Sequence, residues 1–196
     1  NGLVLDAFKH AAAANDIERA ERLMELKEMP LHLPGVPLII LKWLESLPLS
    51  VLNSKPALWW KQAAMLMANY QTIGVEEKLQ ATEAALATKT QPNGEMDEWT
   101  RNLVGKIAFA RAALAATGYQ AETTLVYANR AMEFLHPNNI VYRAGVTIYI
   151  GFARYLLGER DEAEVAYKEA LSLAQAAGDN ESVLTSTIRL GQIHEL

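Results

Sequence analysis

The stretch "ARYLLGERDEAEVAYKEALSLAQAAGD", residues 153–179, decides how the whole chain is read. It contains the end of one helix, a glycine turn at Gly158, a complete second helix and a second glycine at Gly178. The stretch carries helical periodicity. Glu159, Asp161, Glu162 and Glu164 crowd the start of that helix, where negative charge complements the helix dipole. They are therefore read as a solvated face rather than as a carboxylate pair for acid–base work, which needs convergence in a pocket.

Helix pairs repeated along a chain are the mark of a solenoid, and the surroundings of Gly158 fit the tetratricopeptide pattern. With Gly158 as repeat position 15, Ile150 and Gly151 fall at 7 and 8, Ala163 at 20, Tyr167 at 24, and Ala170 and Leu171 at 27 and 28. Arg154 departs from the pattern at position 11, where an aromatic is preferred. Small residues at 8, 20 and 27 let two antiparallel helices approach closely. Glycine at 15 takes a turn that a side chain opposes, and the aromatic at 24 fills the gap towards the next repeat. One pair cannot bury its own apolar face, so pairs stack.

Other segments follow more loosely. Aligning Ala131 and Met132 with Ala170 and Leu171 gives a spacing of 39 residues, longer than the usual ~34. Gly74 at position 15 puts Tyr70 at 11 and leaves Leu79 at the alanine position. Near the start, Asn15 takes the turn and Ala20 lies in the second helix. Leu190 and Gly191 occupy positions 7 and 8 of a repeat whose second helix is missing. With Asn1 as first residue, this implies a piece of a longer protein.

Proline placement supports the same organisation, because proline interrupts helices. Pro30, Pro34, Pro37, Pro48 and Pro56 lie between residues 30 and 56, and Pro92 and Pro137 mark later loops. The expected helices run near 3–14, 16–28, 37–46, 48–53, 56–71, 75–88, 97–117, 119–135, 138–157 and 160–177, with a last one from about 180. No strand alternation of useful length occurs. The expected fold class is all-α, a tetratricopeptide-like superhelix of antiparallel helix pairs. Residues 1–196 form one array: a first pair in 1–29, a proline-rich link with a helix in 30–56, and repeats over 57–196.

Composition narrows function. Half of the 196 residues are hydrophobic and the net charge is −5, with no dense Lys/Arg cluster, so direct nucleic-acid binding is not expected. There is no cysteine, which removes disulfides, thiolate metal sites and a cysteine nucleophile. No apolar run reaches the ~20 residues of a membrane span, and no signal peptide is visible. His10, His32, His136 and His194 have no partner at helical metal spacing and read as surface or loop residues. No nucleophile elbow and no phosphate-binding loop occur. Trp59 and Trp60 point about 100° apart on a helix, so core or link packing is expected of them, with a ligand groove as the alternative for one.

Two longer phrases carry a resemblance. "ILKWLESLPLSVLNSKPALWWKQAAMLMANYQTIGVEEKLQATEAAL" (40–86) and "FLHPNNIVYRAGVTIYIGFARYLLGERDEAEVAYKEALSLAQAAGDN" (134–180) resemble the helical region of the large ATP-dependent LuxR-type transcription regulators, the MalT type. The introducing phrase stands here as Trp43-Leu44-Glu45, Leu47-Pro48 and Lys55-Pro56-Ala57-Leu58, with lysine where arginine is commoner. The resemblance implies a cytoplasmic, non-enzymatic sensor segment. It would receive a small-molecule inducer or a regulatory protein and relay it to the parent protein's ATPase and helix-turn-helix modules. No cofactor is expected in the segment itself, and ATP belongs to the missing module.

In such arrays the first helix of each pair lines a groove, at positions 2, 5, 9, 12 and 13. These are Gly145, Ile148, Phe152, Tyr155 and Leu156 in one repeat, Lys106, Phe109 and Ala113 in another, and Lys61, Ala64, Ala68 and Gln71 in a third. Lys61, Gln71, Lys106, Phe109, Ile148, Phe152 and Tyr155 are the candidate contacts for an apolar partner helix or small ligand. The plainer reading is that neighbouring repeats or the missing modules cover them. The lysine–asparagine clamp by which co-chaperone repeats hold a peptide carboxylate is absent. The alternative function is a free-standing protein–protein scaffold.

Overall fold

A computed structural model of the chain describes residues 3–26, 28–88 and 95–194. The loop expected at 88–95 falls mostly outside the described residues. The described chain is all-helical: α1 Leu3–Ala13, α2 Ile17–Met24, α3 Val36–Glu45, α4 Leu49–Ser54, α5 Pro56–Ala68, α6 Val75–Ala87, α7 Glu98–Thr117, α8 Ala121–Phe134, α9 Ile140–Leu156, α10 Arg160–Ala177 and α11 Asn180–His194. Every helix expected from the sequence is present, and the differences lie at the ends. Helix α2 stops at Met24 instead of 28. Buried Met29 and Pro30 draw the chain inward, and the residue before a proline disfavours helical backbone.

The chain falls into two compact units, Asn1–Thr82 and Glu83–Leu196, with the division inside α6. In the first, α1 packs on α2 and α3 on α5. Phe8 of α1 meets Trp43 of α3 edge-to-face at 5.3 Å. Buried Gln62 donates to the Leu44 carbonyl at 3.0 Å, satisfying a polar group near the end of α3. Trp59 and Trp60 are both buried, and the Trp59 indole donates to Asn53 of α4 at 3.0 Å. Both tryptophans are packing residues.

In the second unit α7 packs on α8 and on α9, while α9 packs on α8, α10 and α11. Asp97 caps α7 by accepting from the Thr100 backbone N–H at 2.7 Å. Glu83 receives both guanidinium nitrogens of Arg111, at 2.7 and 2.8 Å, a bidentate pairing. The carbonyls of Met132 and Glu133 at the end of α8 accept from Arg143 and Arg101, which relieves the unpaired acceptors of a helix terminus.

The turns within pairs repeat one construction. Asn15, Tyr119 and Gly158 all have positive φ, at 55°, 55° and 81°. The residue after each donates back to a carbonyl five residues earlier: Asp16 to Ala11, Gln120 to Ala115 and Glu159 to Arg154. Five residues beyond each turn residue lies a fully buried small side chain: Ala20, Thr124 and Ala163. Thr124 fits where alanine is usual because its hydroxyl bonds back to the Gln120 carbonyl at 2.8 Å.

The α5–α6 turn corrects the register that put Tyr70 on the first helix. Helix α5 ends at Ala68, Tyr70 takes the left-handed conformation, and Gln71 donates to Leu66 to close the turn. Three more residues precede Gly74, which also has positive φ, at 86°. With this longer entry, a leucine rather than an alanine is buried at position 79.

A candidate binding face on α7, α9 and α11

The face begins with a stripe on α9. Tyr142, Gly145, Tyr149 and Phe152 are spaced three, four and three residues apart, so helical geometry puts them on one side. Phe109 of α7 packs into that stripe. Its ring lies 5.2 Å from Tyr142, edge-to-face, and 5.6 Å from Tyr149. Gly145 makes room for it: a Cβ there would stand 2.8 Å from Phe109 Cε2. The glycine therefore lets α7 and α9 approach with an aromatic ring between them.

Cations finish both ends of the stripe. Lys106 Nζ lies 5.1 Å from the centre of the Tyr142 ring, and the Arg189 guanidinium of α11 lies 5.0 Å from the centre of Phe152. Arg189 is also held by Gln192, at 3.0 Å. Tyr119, in the turn after α7, brings its ring within 6.0 Å of Phe152. It is 73% exposed, and its positive φ costs a non-glycine residue ~1–2 kcal/mol. A solvent-facing aromatic beside an aromatic–cation stripe is a candidate ligand contact, its left-handed backbone belonging to the turn construction it shares with Asn15 and Gly158. Burial raises the Tyr149 hydroxyl above its ordinary range, and Glu181 adds to the rise. Tyr149 is thus a neutral hydrogen-bonding group throughout the physiological range.

The structure gathers three of the seven sequence candidates in the stripe. Lys106, Phe109 and Phe152 belong to it directly. Tyr155 is half-buried and leans on the α9–α10–α11 core. Ile148 is placed otherwise: it is 9% exposed and packs with Ala163, Tyr167, Ala170 and Ile193. It is a core residue, because α10 and α11 cover the side of α9 on which it lies. Gln71 is also corrected. It lies in the turn after α5, not on a groove-lining helix. Lys61 lies on α5 and is engaged by Glu25 at 3.2 Å.

Tyr142, Tyr149, Tyr119 and Arg189 did not emerge from the repeat positions. The eleven-residue aromatic stripe on α9, 142–152, was the available signal for the first two. Tyr119 was hidden by its turn, and Arg189 is recognisable only once α11 is seen against α9.

Among the described residues no group of three or more His, Asp or Glu side chains could hold a metal ion, and no helix is long and apolar enough to cross a membrane. No protein-family model matches the chain, and no curated protein or solved structure is detectably similar to it.

Proposed function

We propose that this chain is the effector-sensing helical-repeat region of a LuxR-type transcription regulator of the MalT kind, built as a tetratricopeptide-like superhelix. Its job is to bind an inducer or a regulatory protein and relay the event to ATPase and DNA-binding modules carried elsewhere. The aromatic–cation stripe on α9, with Phe109 and Lys106 on one side and Arg189 on the other, is the observation that carries the binding role. Three neighbouring first helices contribute to it, so a ligand there bears on the packing between helix pairs. Such a contact relays binding only if the ligand prefers one packing over another. The repeated left-handed turns at Asn15, Tyr119 and Gly158, each followed by a buried small residue, support the tetratricopeptide reading. The WLE–LP–KP phrase at 43–58 supports the regulator class.

Two measurements test the proposal separately. Sequencing the gene on both sides of the segment should reveal a phosphate-loop ATPase upstream and a helix-turn-helix module downstream. A reading frame that closes with neither overturns the regulator class and leaves the scaffold reading. A thermal-shift screen of sugars, metabolites and candidate regulatory proteins should find a binder whose effect is lost in Lys106→Ala and Phe152→Ala. A binder insensitive to both would move the site elsewhere.

A further inference from the structure

We infer that the Arg189 end of the stripe is a carboxylate subsite, and that its ligand is a small planar aromatic monocarboxylate, with the charge on Arg189 and the ring against Phe152 and Tyr119. The inference rests on the binding role proposed for the stripe and is independent of the regulator class. Arg189 of α11 is half-buried, with its guanidinium 5.0 Å from the centre of the Phe152 ring. It donates to Gln192 at 3.0 Å, and among the described residues no carboxylate lies within ion-pair distance of it. Other arginines of the same unit are engaged. Arg111 is paired with Glu83 and Arg154 with Glu159, while Arg101 and Arg143 donate to the helix-end carbonyls of Glu133 and Met132. A guanidinium over a ring still directs its N–H fork sideways, the geometry that receives a carboxylate in two parallel bonds.

Tyr167 brings a second donor to the same place. It is 1% exposed, and its buried hydroxyl has no hydrogen-bond partner among the described residues. Burial pushes that hydroxyl up to about 12, the Arg189 charge pulls the other way and Tyr155 adds to the rise. Tyr155, Tyr167 and Arg189 therefore meet where α9, α10 and α11 come together. Donors collect there without an acidic acceptor, and an anion is the chemistry that answers such an excess. Farther along the stripe Glu181 bears on Tyr149, so a carboxylate is repelled there and the charged end of the ligand is set at Arg189. The Phe152 and Tyr119 rings, 6.0 Å apart and tilted by 56°, supply apolar walls beside the cation for a flat ring. The Tyr142 ring, over which Lys106 sits, is ten residues away on α9. That is ~15 Å along the helix, beyond the reach of a one- or two-ring acid, so one carboxylate suffices.

The test titrates β-naphthoate, and separately its uncharged amide, into the chain by calorimetry. The acid should bind saturably and at least about tenfold more tightly than the amide, the scale of a bidentate charge-assisted pair. Arg189→Gln should bring the acid down to the affinity of the amide. Arg189→Lys keeps the charge without the fork and should recover only part of the preference. Phe152→Ala should weaken both probes. The Arg189 variants should keep the wild-type circular-dichroism spectrum and thermal midpoint, because the side chain rests on one ring and the Gln192 amide. Equal binding of acid and amide, lost in Phe152→Ala, overturns the carboxylate class and leaves the stripe as a binding face for uncharged ligands. An acid preference that survives Arg189→Gln overturns the placement. No saturable binding of either probe overturns the inference as a whole, and the binding role of the stripe is then decided by the thermal-shift screen with its Phe152→Ala control.

Discussion

Gly151→Ala tests the close packing of α9 against α10, because two known effects oppose each other there. Replacing glycine by alanine inside a helix normally stabilises by ~0.8–1.0 kcal/mol. The new methyl would stand 2.7, 2.8 and 3.1 Å from Cε1, Cδ1 and Cζ of Tyr167. Carbon atoms settle at ~3.5–4.0 Å, so the ring must retreat by roughly 0.7 Å or more. It has little room, being 1% exposed and enclosed with Ala163, Ala170, Ile148 and Ile193. Overpacking of a filled core costs ~1–3 kcal/mol, and a rigid ring in a closed site belongs near the upper end. The expected balance is a net loss of about 1–2 kcal/mol, with clash outweighing propensity. Urea titration followed by circular dichroism at 222 nm measures it. Shortening the opposing side chain should relieve the clash. Gly151→Ala with Tyr167→Leu should cost less than the two single changes added, by about 0.5–3 kcal/mol of coupling. A Gly151→Ala chain more stable than wild type by the full propensity gain would refute the close-approach reasoning.

Other perturbations check other joints. Gly105→Ala should cost more than Gly151→Ala, because its Cβ would stand 2.6 Å from the backbone nitrogen of Leu135, which cannot rotate away as a side chain can; parallel urea titrations compare them. Tyr119→Gly relieves a left-handed tyrosine, so stability should rise by up to ~1 kcal/mol, while any ligand of the aromatic stripe binds more weakly; calorimetry with and without that ligand separates the effects. Asp97 is held below the ordinary carboxylate range by the Thr100 backbone N–H and then by its hydroxyl. Its charged form therefore stabilises the fold at pH values above the unfolded carboxylate range, and this contribution is lost as pH falls through the lower folded value. Asp97→Asn should accordingly lower the thermal midpoint at pH 7, with the gap closing as the pH falls below the ordinary carboxylate range in a series of melts. Tyr167→Phe should be neutral or stabilising, by up to ~1 kcal/mol, because the buried hydroxyl has no hydrogen-bond partner among the described residues; a lower urea midpoint would mean that the hydroxyl is satisfied after all.

Helix positions were legible because the chain is punctuated where helices end. Prolines at 30, 34, 37, 48, 56 and 137 and glycines at 158 and 178 mark interruptions that backbone sterics enforce. Register was harder to read. Gly74 looks like a turn residue and is one, yet the turn that ends α5 is made at Tyr70, four residues earlier. Tyrosine carries no turn propensity, so neither Tyr70 nor Tyr119 announces its left-handed backbone. In each, the pattern of backbone hydrogen bonds settles the conformation. Gln71 was misplaced for that reason alone. Ile148 was misplaced for another: periodicity shows which residues share a face but not which neighbour covers it, and the α10–α11 core claims this one.

The two complete pairs of the second unit also show why a repeat pattern can drift without losing its packing. Thirty-nine residues before Gly151 and Tyr167 stand Ala112 and Ala128, both fully buried. One pair closes its helices with a glycine beneath a ring, the other with two methyl groups. Where the second pair has Tyr167 between α9 and α10, the first has Leu135 seated against Gly105, and its alanines join Ala108, Ala131, Leu135 and Val146 in one cluster. Cores tolerate such exchanges when volume and patterning are kept. The constraint acts on the sum across a helix pair, so single positions vary while the pair's geometry persists. A pattern read position by position therefore finds Gly158 easily and Tyr119 with difficulty, although the two turns have the same construction.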